Sequence, residues 1–234
     1  MRETGKTNRI RGKDFFARYL AGKTIDIGCA DDPVCRSAER FDTPEGDANN
    51  ITTYRTALSY DTVYSSHCLE HMADVPRALT EWWSLVKPGG YMVIVVPHED
   101  LYEQGFWPSI FNADHKATFR LGGNGSWSSN SYDLWQLVEA LSGAMLISAS
   151  IQDHNYNHAL TRKGGQDRPY MRKLLFQLIR ALNKLGALGP VIERQLYGIA
   201  FRLGCPVDQT LGSALAQIEV IVEKQKSPPI DDFV

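Results

Sequence analysis

The 234 residues carry 25 Lys and Arg against 27 Asp and Glu, a formal charge of −2, with 43% hydrophobic and 22% charged residues. That balance belongs to an ordinary globular chain; it excludes collagen-like and disordered classes and gives no global basic field for wrapping nucleic acid. Cys29, Cys35, Cys68 and Cys205 stand without CxxC spacing, so zinc and disulfide frameworks are poor readings and reduced thiols in a cytoplasm the better one.

A chain of this length buries most of its apolar surface without metal or disulfides and reads as a single domain over 1–234. Met1-Arg2-Glu3-Thr4-Gly5-Lys6 has no apolar signal region, and no apolar run is long enough to span a bilayer, so a cytoplasmic protein is expected. Residues before about Thr24 read as a polar lead-in and one helix, with Phe15, Phe16, Tyr19 and Leu20 on its apolar side. Thr24–Gly28 is a short strand running into a turn. Asp32-Pro33 has the residues of a helix start, predicting a brief helix through about Ala38. Arg40–Asp42 is a second short strand, and Gly46–Asn50 a loop. Tyr60–Ser66 is the next strand. A helix follows from about Asp74 to Val86, with Val75, Ala78, Leu79, Trp82, Leu85 and Val86 at helical spacing and Lys87-Pro88-Gly89-Gly90 to stop it. Tyr91–Pro97 is a continuous apolar run, as a strand buried on both faces should be.

From His98 to about Ser128 the pattern is lost in an aromatic, turn-rich segment that suits a substrate-facing loop. A helix from about Asn130 to Leu141 and a strand from about Ala144 to Gln152 resume the alternation. Residues 155–209 read as a helical insertion, Ala214–Val222 as the last strand, and 226–234 as a disordered tail. Strands alternating with helices predict an α/β fold. The expected form is a Rossmann-like, mostly parallel sheet with helices on both faces, shortened early strands and the insertion before the last strand.

A strand ending in Asp26-x-Gly28 before a tight turn opens a crevice at the carboxyl edge of such a sheet. Gly28 permits positive φ and close backbone approach, and Asp26 can accept turn amides or orient an amino group. The same residues also suit an ordinary acidic strand end, so their weight comes from three further motifs downstream. Asp47-Ala48 comes after the second acidic strand end. Asp61-Thr62-Val63-Tyr64-Ser65-Ser66-His67-Cys68-Leu69-Glu70-His71 puts a polar elbow after the next strand, and Leu85-Val86-Lys87-Pro88-Gly89-Gly90 leads into the buried one. No GxGxxG follows the first strand, which disfavours a nicotinamide dehydrogenase.

In this order and spacing the four motifs resemble the class I S-adenosylmethionine-dependent methyltransferases, over about residues 20 to 100 and the last strand. The resemblance implies in-line transfer of a sulfonium methyl, with S-adenosylmethionine as cofactor. It implies that Asp26, Gly28, Cys29 and Ala30 line the methionine and ribose side, that Asp42 or Asp47 holds the ribose and Asp47-Ala48 the adenine. Backbone groups of Ser65 and Ser66, with His67 beside them, would face the sulfonium. Ala30 and Asp32 stand where the family usually has glycines, and the stretch between the first and third motifs is compressed. The segment Asp100–Lys116, with Asp208-Gln209-Thr210, is similar to methyltransferases of bacterial surface-polysaccharide biosynthesis, which implies a sugar or glycan hydroxyl as acceptor.

Under that reading Tyr102, Phe106 and Trp107 offer faces for a sugar ring, with Glu99 and Asn112 as polar contacts. A sugar hydroxyl needs a base, and neutral histidine suits that at neutral pH. All six histidines follow predicted strands or lie in the irregular loop; His98 or His115 is expected as base, with Asp114 orienting it. His71, after the Leu-Glu pair, reads as structural. Spacing specifies no metal, although Asp114, His115 and Glu99 form an alternative cation set. Met171, Leu174, Leu175, Leu178, Leu182 and Leu185 make an apolar stripe opposite Lys173, Gln177, Arg180 and Lys184, and residues 168–203 hold seven basic groups against Glu193. This insertion predicts packing on the domain, a homodimer, or contact with an anionic inner membrane face. A lipid or quinone acceptor, or a catalytically silent cofactor-binding subunit, are the competing readings of the whole chain.

Overall fold

A computed structural model of the chain describes residues 3–123, 125–182 and 189–226. The elements run α1 (Glu3–Ile10), α2 (Lys13–Tyr19), β1 (Thr24–Ile27), β2 (Glu39–Phe41), β3 (Tyr60–Ser66), α3 (Val75–Ser84) and β4 (Val86–Pro97). They continue with β5 (Thr118–Arg120), β6 (Ser131–Asp133), α4 (Leu134–Glu139), β7 (Ala144–Gln152), α5 (Pro169–Leu182), α6 (Gly189–Arg202) and β8 (Gln217–Lys224). The main sheet has the order β2-β1-β3-β4-β8-β7. Its β1–β2, β1–β3 and β3–β4 pairs are parallel, and β8 runs antiparallel between β4 and β7. This is the expected Rossmann-like sheet, shortened on the β2 side.

Period two along the central strands divides the core into two faces. Met92, Ile94 and Val96 join Val63, Ile25 and Ile27 on one face, covered by Val75, Leu79 and Trp82 of α3 and by Leu134 and Val138 of α4. Val93 and Val95 join Tyr64 and Ile221 on the other, where Phe15, Phe16 and Tyr19 of α2 pack with Leu20 and Val34. Residues Met92–Val96 are at most 1% exposed, as a strand covered on both faces requires. Asp74 caps α3 by accepting the Arg77 amide, and Pro76 stands in its first turn, where the missing N–H costs nothing.

Several elements depart from the sequence expectation. The polar lead-in forms α1, whose buried residues Thr4, Lys6 and Thr7 are polar. The Lys6 ammonium donates to the Thr210 carbonyl at 2.7 Å and the Ala214 carbonyl at 3.3 Å, so a hydrogen-bonded face, invisible to hydrophobic periodicity, fixes this helix. No helix forms over 32–38: the Asp32 carboxylate is turned to the Gly5 amide and the Val34 amide donates to Asp26, so neither group is free to nucleate a turn. The helix expected from Asn130 begins only at Leu134, because 131–133 pair with 118–120 in a small parallel sheet and Asp133 supplies the cap. The last strand starts at Gln217 rather than Ala214.

In the insertion, α5 and α6 pack on each other around Leu175, Ile179, Tyr197, Ala200, Cys205 and Val207. The inward row is Met171, Leu175 and Ile179, so Leu174 and Leu178 of the expected stripe face outward. The expectations for Lys184 and Leu185, and for all but Lys226 at the head of the 226–234 tail, lie outside the described residues. Among the described residues, no helix is long and apolar enough to cross a membrane.

Candidate active site

A cavity of about 570 Å³ opens past the carboxyl ends of β1, β2 and β3. Of the residues expected at a cofactor, Gly28, Asp42, Asp47, Ala48 and His67 line it, together with Asp114 from the irregular loop. Asp26, Cys29, Ser65 and Ser66, all buried, and the exposed Ala30 are not part of that lining. Phe41, Thr43, Asn49, Tyr54, His71 and Met72 also line it. Sequence reasoning missed them for the cofactor: His71 was legible in the Leu-Glu-His motif, whereas Phe41 and Tyr54 arrive through the chain path after β2 and carry no local signal.

Gly28 has φ +79°, and a Cβ there would lie 2.4 Å from the Cys68 Cβ, so no side chain fits between this turn and the β3 elbow. Ala30 adopts the left-handed conformation at φ +46° where the family's pattern has glycine. The Ala30 amide donates to Asp42 Oδ2 at 2.6 Å and its carbonyl accepts from the Arg40 guanidinium, and these two bonds hold the strained turn. Asp26 is fully buried beneath the loop, where its Oδ2 accepts the Val34 amide at 2.6 Å and its Oδ1 has no partner. Burial above all pushes the Asp26 carboxyl up to about 7, with Asp32 and Asp42 adding to it and the Val34 amide and Arg11 opposing.

Both ribose candidates carry structural hydrogen bonds as well. Asp42 Oδ1 accepts the Thr43 amide at 2.7 Å, and Asp47 caps the 3-10 turn Ala48–Thr53 by accepting the Asn49 amide at 2.9 Å. The Asn49 and Asn50 side chains, also donating to it, hold the Asp47 carboxyl below its ordinary value. A carboxylate has about four lone-pair sites, so each keeps acceptor capacity for hydroxyls.

The acceptor-side residues divide into two groups. His98 caps the turn Glu99–Glu103, its Nδ1 accepting the Asp100 amide at 3.0 Å, and burial holds its pKa below the usual histidine value. It does not line the cavity. Glu99 is buried and accepts from Thr118 Oγ1 at 3.2 Å, from Ser126 Oγ at 2.7 Å and from Ser131, tying β5 to β6 instead of facing a ligand. Trp107 is half-buried and lines neither this cavity nor the next. By contrast, Tyr102 and Asn112 line a second cavity of about 340 Å³ with Phe111, Arg180 and Asp208. The Tyr102 ring stacks on His115 with centroids 5.3 Å apart and meets Phe111 edge-on at 5.9 Å.

His115 is buried, and its Nδ1 is 2.6 Å from Glu103 Oε1, so Glu103 rather than Asp114 orients it. Asp114 instead brings a carboxylate oxygen to 3.0 Å from His71 Nδ1. The Lys116 and Ala117 amides both donate to the Glu70 carbonyl, which presses this loop against the β3 elbow and brings His71 and His115 edge to face at 5.0 Å. His71 lines the first cavity and Tyr102 the second, and the buried His115, which lines neither, packs against both rings.

The sequence profile of a family described as methyltransferase domain matches residues 7–129, just over half of the chain. No curated protein matches. Among solved structures, the chain is similar to a SAM-dependent methyltransferase from Archaeoglobus fulgidus, at 13% identity and TM-score 0.48, covering 95% of either chain. It is also similar to the phosphoethanolamine N-methyltransferase 2 of Haemonchus contortus, solved with phosphomonomethylethanolamine and S-adenosylhomocysteine. That likeness has 13% identity and TM-score 0.49, over 94% of this chain and 52% of that one. A third likeness, 13% identical at TM-score 0.42, is to a sarcosine dimethylglycine methyltransferase structure from Galdieria sulphuraria, of whose length this chain spans 62% while 83% of this chain is covered.

Proposed function

This chain belongs to the methyltransferase-domain family, and on that premise we propose that it is an S-adenosylmethionine-dependent O-methyltransferase acting on a sugar or glycan hydroxyl in bacterial surface-polysaccharide biosynthesis. The observation that supports this best is a cavity of a size and lining that fit the cofactor, linked through the packed rings of His71, His115 and Tyr102 to a second cavity walled by aromatic rings and polar groups.

The first cavity fits the cofactor on its own features. The Gly28 turn leaves no room for a side chain, Asp42 and Asp47 present carboxylates suited to ribose hydroxyls, and Phe41, Ala48, Tyr54 and Met72 give apolar walls suited to a purine. When bound there, the cofactor supplies an already activated methyl group on its sulfonium. The protein's share is then to align the acceptor and to help remove the hydroxyl proton. Asp26 fixes the loop from beneath, and its unpartnered oxygen suits an ammonium. Of the two histidines expected as base, we favour His115, which is oriented by Glu103, packs on Tyr102 and lies against His71, a residue of the cavity lining. Tyr102 and Phe111 offer apolar faces to a sugar ring, with Asn112, Asp208 and Arg180 for its hydroxyls or an attached phosphate.

Methyl transfer from labelled S-adenosylmethionine, measured against sugar nucleotides, surface glycans, quinones and lipids, tests the reading. Transfer to the sugar panel that falls at least roughly a hundredfold in His115→Ala is expected. Transfer confined to a quinone or lipid overturns the acceptor class, and calorimetric cofactor binding without turnover of any acceptor favours a silent subunit. We further propose that the outward Leu174, Leu178, Ile199 and Leu203 of the basic insertion contact an anionic membrane face or a second copy. Absence of co-sedimentation with anionic liposomes at low salt ends the membrane part of that reading, and a monomer by sedimentation ends the other.

A further inference from the structure

Glu70 is 1% exposed, yet neither of its carboxylate oxygens makes a hydrogen bond of good geometry among the described residues, the closest contact being with His67. A buried, unsatisfied carboxylate is costly unless something cationic meets it. Its nearest polar neighbours are ring nitrogens: His67 Nδ1 at 3.5 Å, and the Nε2 atoms of His71 and His115 each at 3.9 Å from Glu70 Oε1. Ligand-capable atoms of Glu70, His71 and His115 all lie within 4.8 Å of one another.

The orientation of the two histidines is the second, independent observation. Each has its Nδ1 against a carboxylate, Asp114 for His71 at 3.0 Å and Glu103 for His115 at 2.6 Å, and each turns its Nε2 toward Glu70. A carboxylate on one ring nitrogen fixes the tautomer so that the other nitrogen presents a lone pair, which is the arrangement that raises the basicity of metal-ligating histidines. Two such pairs converging on one buried, poorly satisfied carboxylate make a built site. Ligands about 2.0–2.2 Å from a common ion stand roughly 3–3.5 Å apart, so the two 3.9 Å edges close by about half an ångström to one ångström, and the third edge, within 4.8 Å, by up to about 1.5 Å, on binding.

We propose that Glu70, His71 and His115 bind a divalent transition-metal ion behind the wall that His71 contributes to the first cavity. Two imidazoles and one carboxylate suit zinc, cobalt or manganese in preference to magnesium or calcium, which favour all-oxygen shells. Three protein ligands leave a position open. On the sugar-acceptor assignment, that position takes the substrate hydroxyl and lowers its pKa. The O–H proton then passes to the exposed Asp114 carboxylate at the cavity edge, and His115 serves as a ligand instead of a free base. This role rests on the methyl-acceptor assignment; the binding site itself does not.

The test uses the full chain stripped with a chelator and titrated with Co²⁺ in the absence of any acceptor, followed by visible d–d absorption and by thermal unfolding. One saturable site with a d–d band, displaced by Zn²⁺ and not by Mg²⁺ or Ca²⁺, is expected. The band should vanish in His71→Ala and His115→Ala and persist in His158→Ala, a remote exposed histidine. Glu103→Gln, which keeps all three ligands and alters only the orienting partner, should weaken binding about 10–100-fold. Where His115→Ala does not fold, His71→Ala and Glu103→Gln carry the test. Absence of a band and of any metal-dependent shift in unfolding overturns the proposal, as does a band that survives in His71→Ala with Glu103→Gln unaffected. A metal-binding chain that methylates no sugar would leave the site standing and remove only its role.

Discussion

Residues 24–97 and residues 169–202 bury apolar side chains to different depths. In the first region β1, β3 and β4 are covered on both faces, and α3 lays Val75, Leu79, Trp82 and Trp83 against them, with Tyr54 and Leu58 as the region's exposed large apolar side chains. In the second, α5 and α6 share one small cluster and leave Tyr170, Leu174, Phe176, Leu178, Ile192 and Ile199 exposed. The two regions teach where stability and binding reside. The Gly28 turn rests on the densely packed part, so its geometry is set by the core, while the insertion can change its surface without disturbing that turn.

Substitutions in the two regions should separate accordingly. Trp82→Ala removes a fully buried ring whose Nε1 donates to the Ala48 carbonyl at 2.8 Å, beside the cofactor cavity. A loss of about 3–5 kcal/mol in denaturant unfolding is expected, with cofactor binding falling as well, because Ala48 lines the cavity. Gly28→Ala adds a Cβ into Cys68 at positive φ and should cost about 3 kcal/mol, with calorimetric cofactor binding abolished. Ile179→Ala, in the core of the insertion, should cost about 2–3 kcal/mol yet leave cofactor affinity within about twofold of the parent. An equal fall in cofactor affinity for Ile179→Ala and Gly28→Ala would break the comparison.

A smaller effect sharpens it through pH. The folded protein holds a proton on Asp26 up to about pH 7, whereas an ordinary Asp releases it near 3.8. This stabilisation is complete below the unfolded value and is lost as pH rises through about 7. Asp26→Asn should therefore flatten the decline of Tm between about pH 4 and pH 8 relative to the parent. The smallest effect belongs to the insertion's outer face: Leu174→Ser should stay within about 0.5 kcal/mol of the parent.

The range of the forces involved decides how much of this was legible. The strands at 24–27, 60–66 and 144–152, the α3 helix and the order of motifs are local or periodic, and each appears close to where the sequence puts it, whereas β4 starts at Val86 instead of Tyr91 and takes in the Lys87–Gly90 stretch read as a helix stop. The candidate site was legible where it follows a strand end, at Gly28, Asp42, Asp47 and His67, since a parallel sheet brings its carboxyl ends to one edge whatever the side chains. The α1 helix escaped because its buried face is polar and is satisfied by carbonyls some 200 residues away. The sequence predicts a helix over 32–38 because Asp32 has a capping side chain, but Gly5 takes that carboxylate. His98, Glu99 and His115 are alike in sequence terms, and only packing makes one a cap, one a tie between short strands and one a member of the Glu70 cluster. The sequence by itself determined the sheet, its active edge and the family, because hydrophobic period and turn residues act within a few positions. Tertiary structure alone decided which histidines and carboxylates meet, because that depends on the Lys116 and Ala117 amides closing onto Glu70 across some 45 residues of chain.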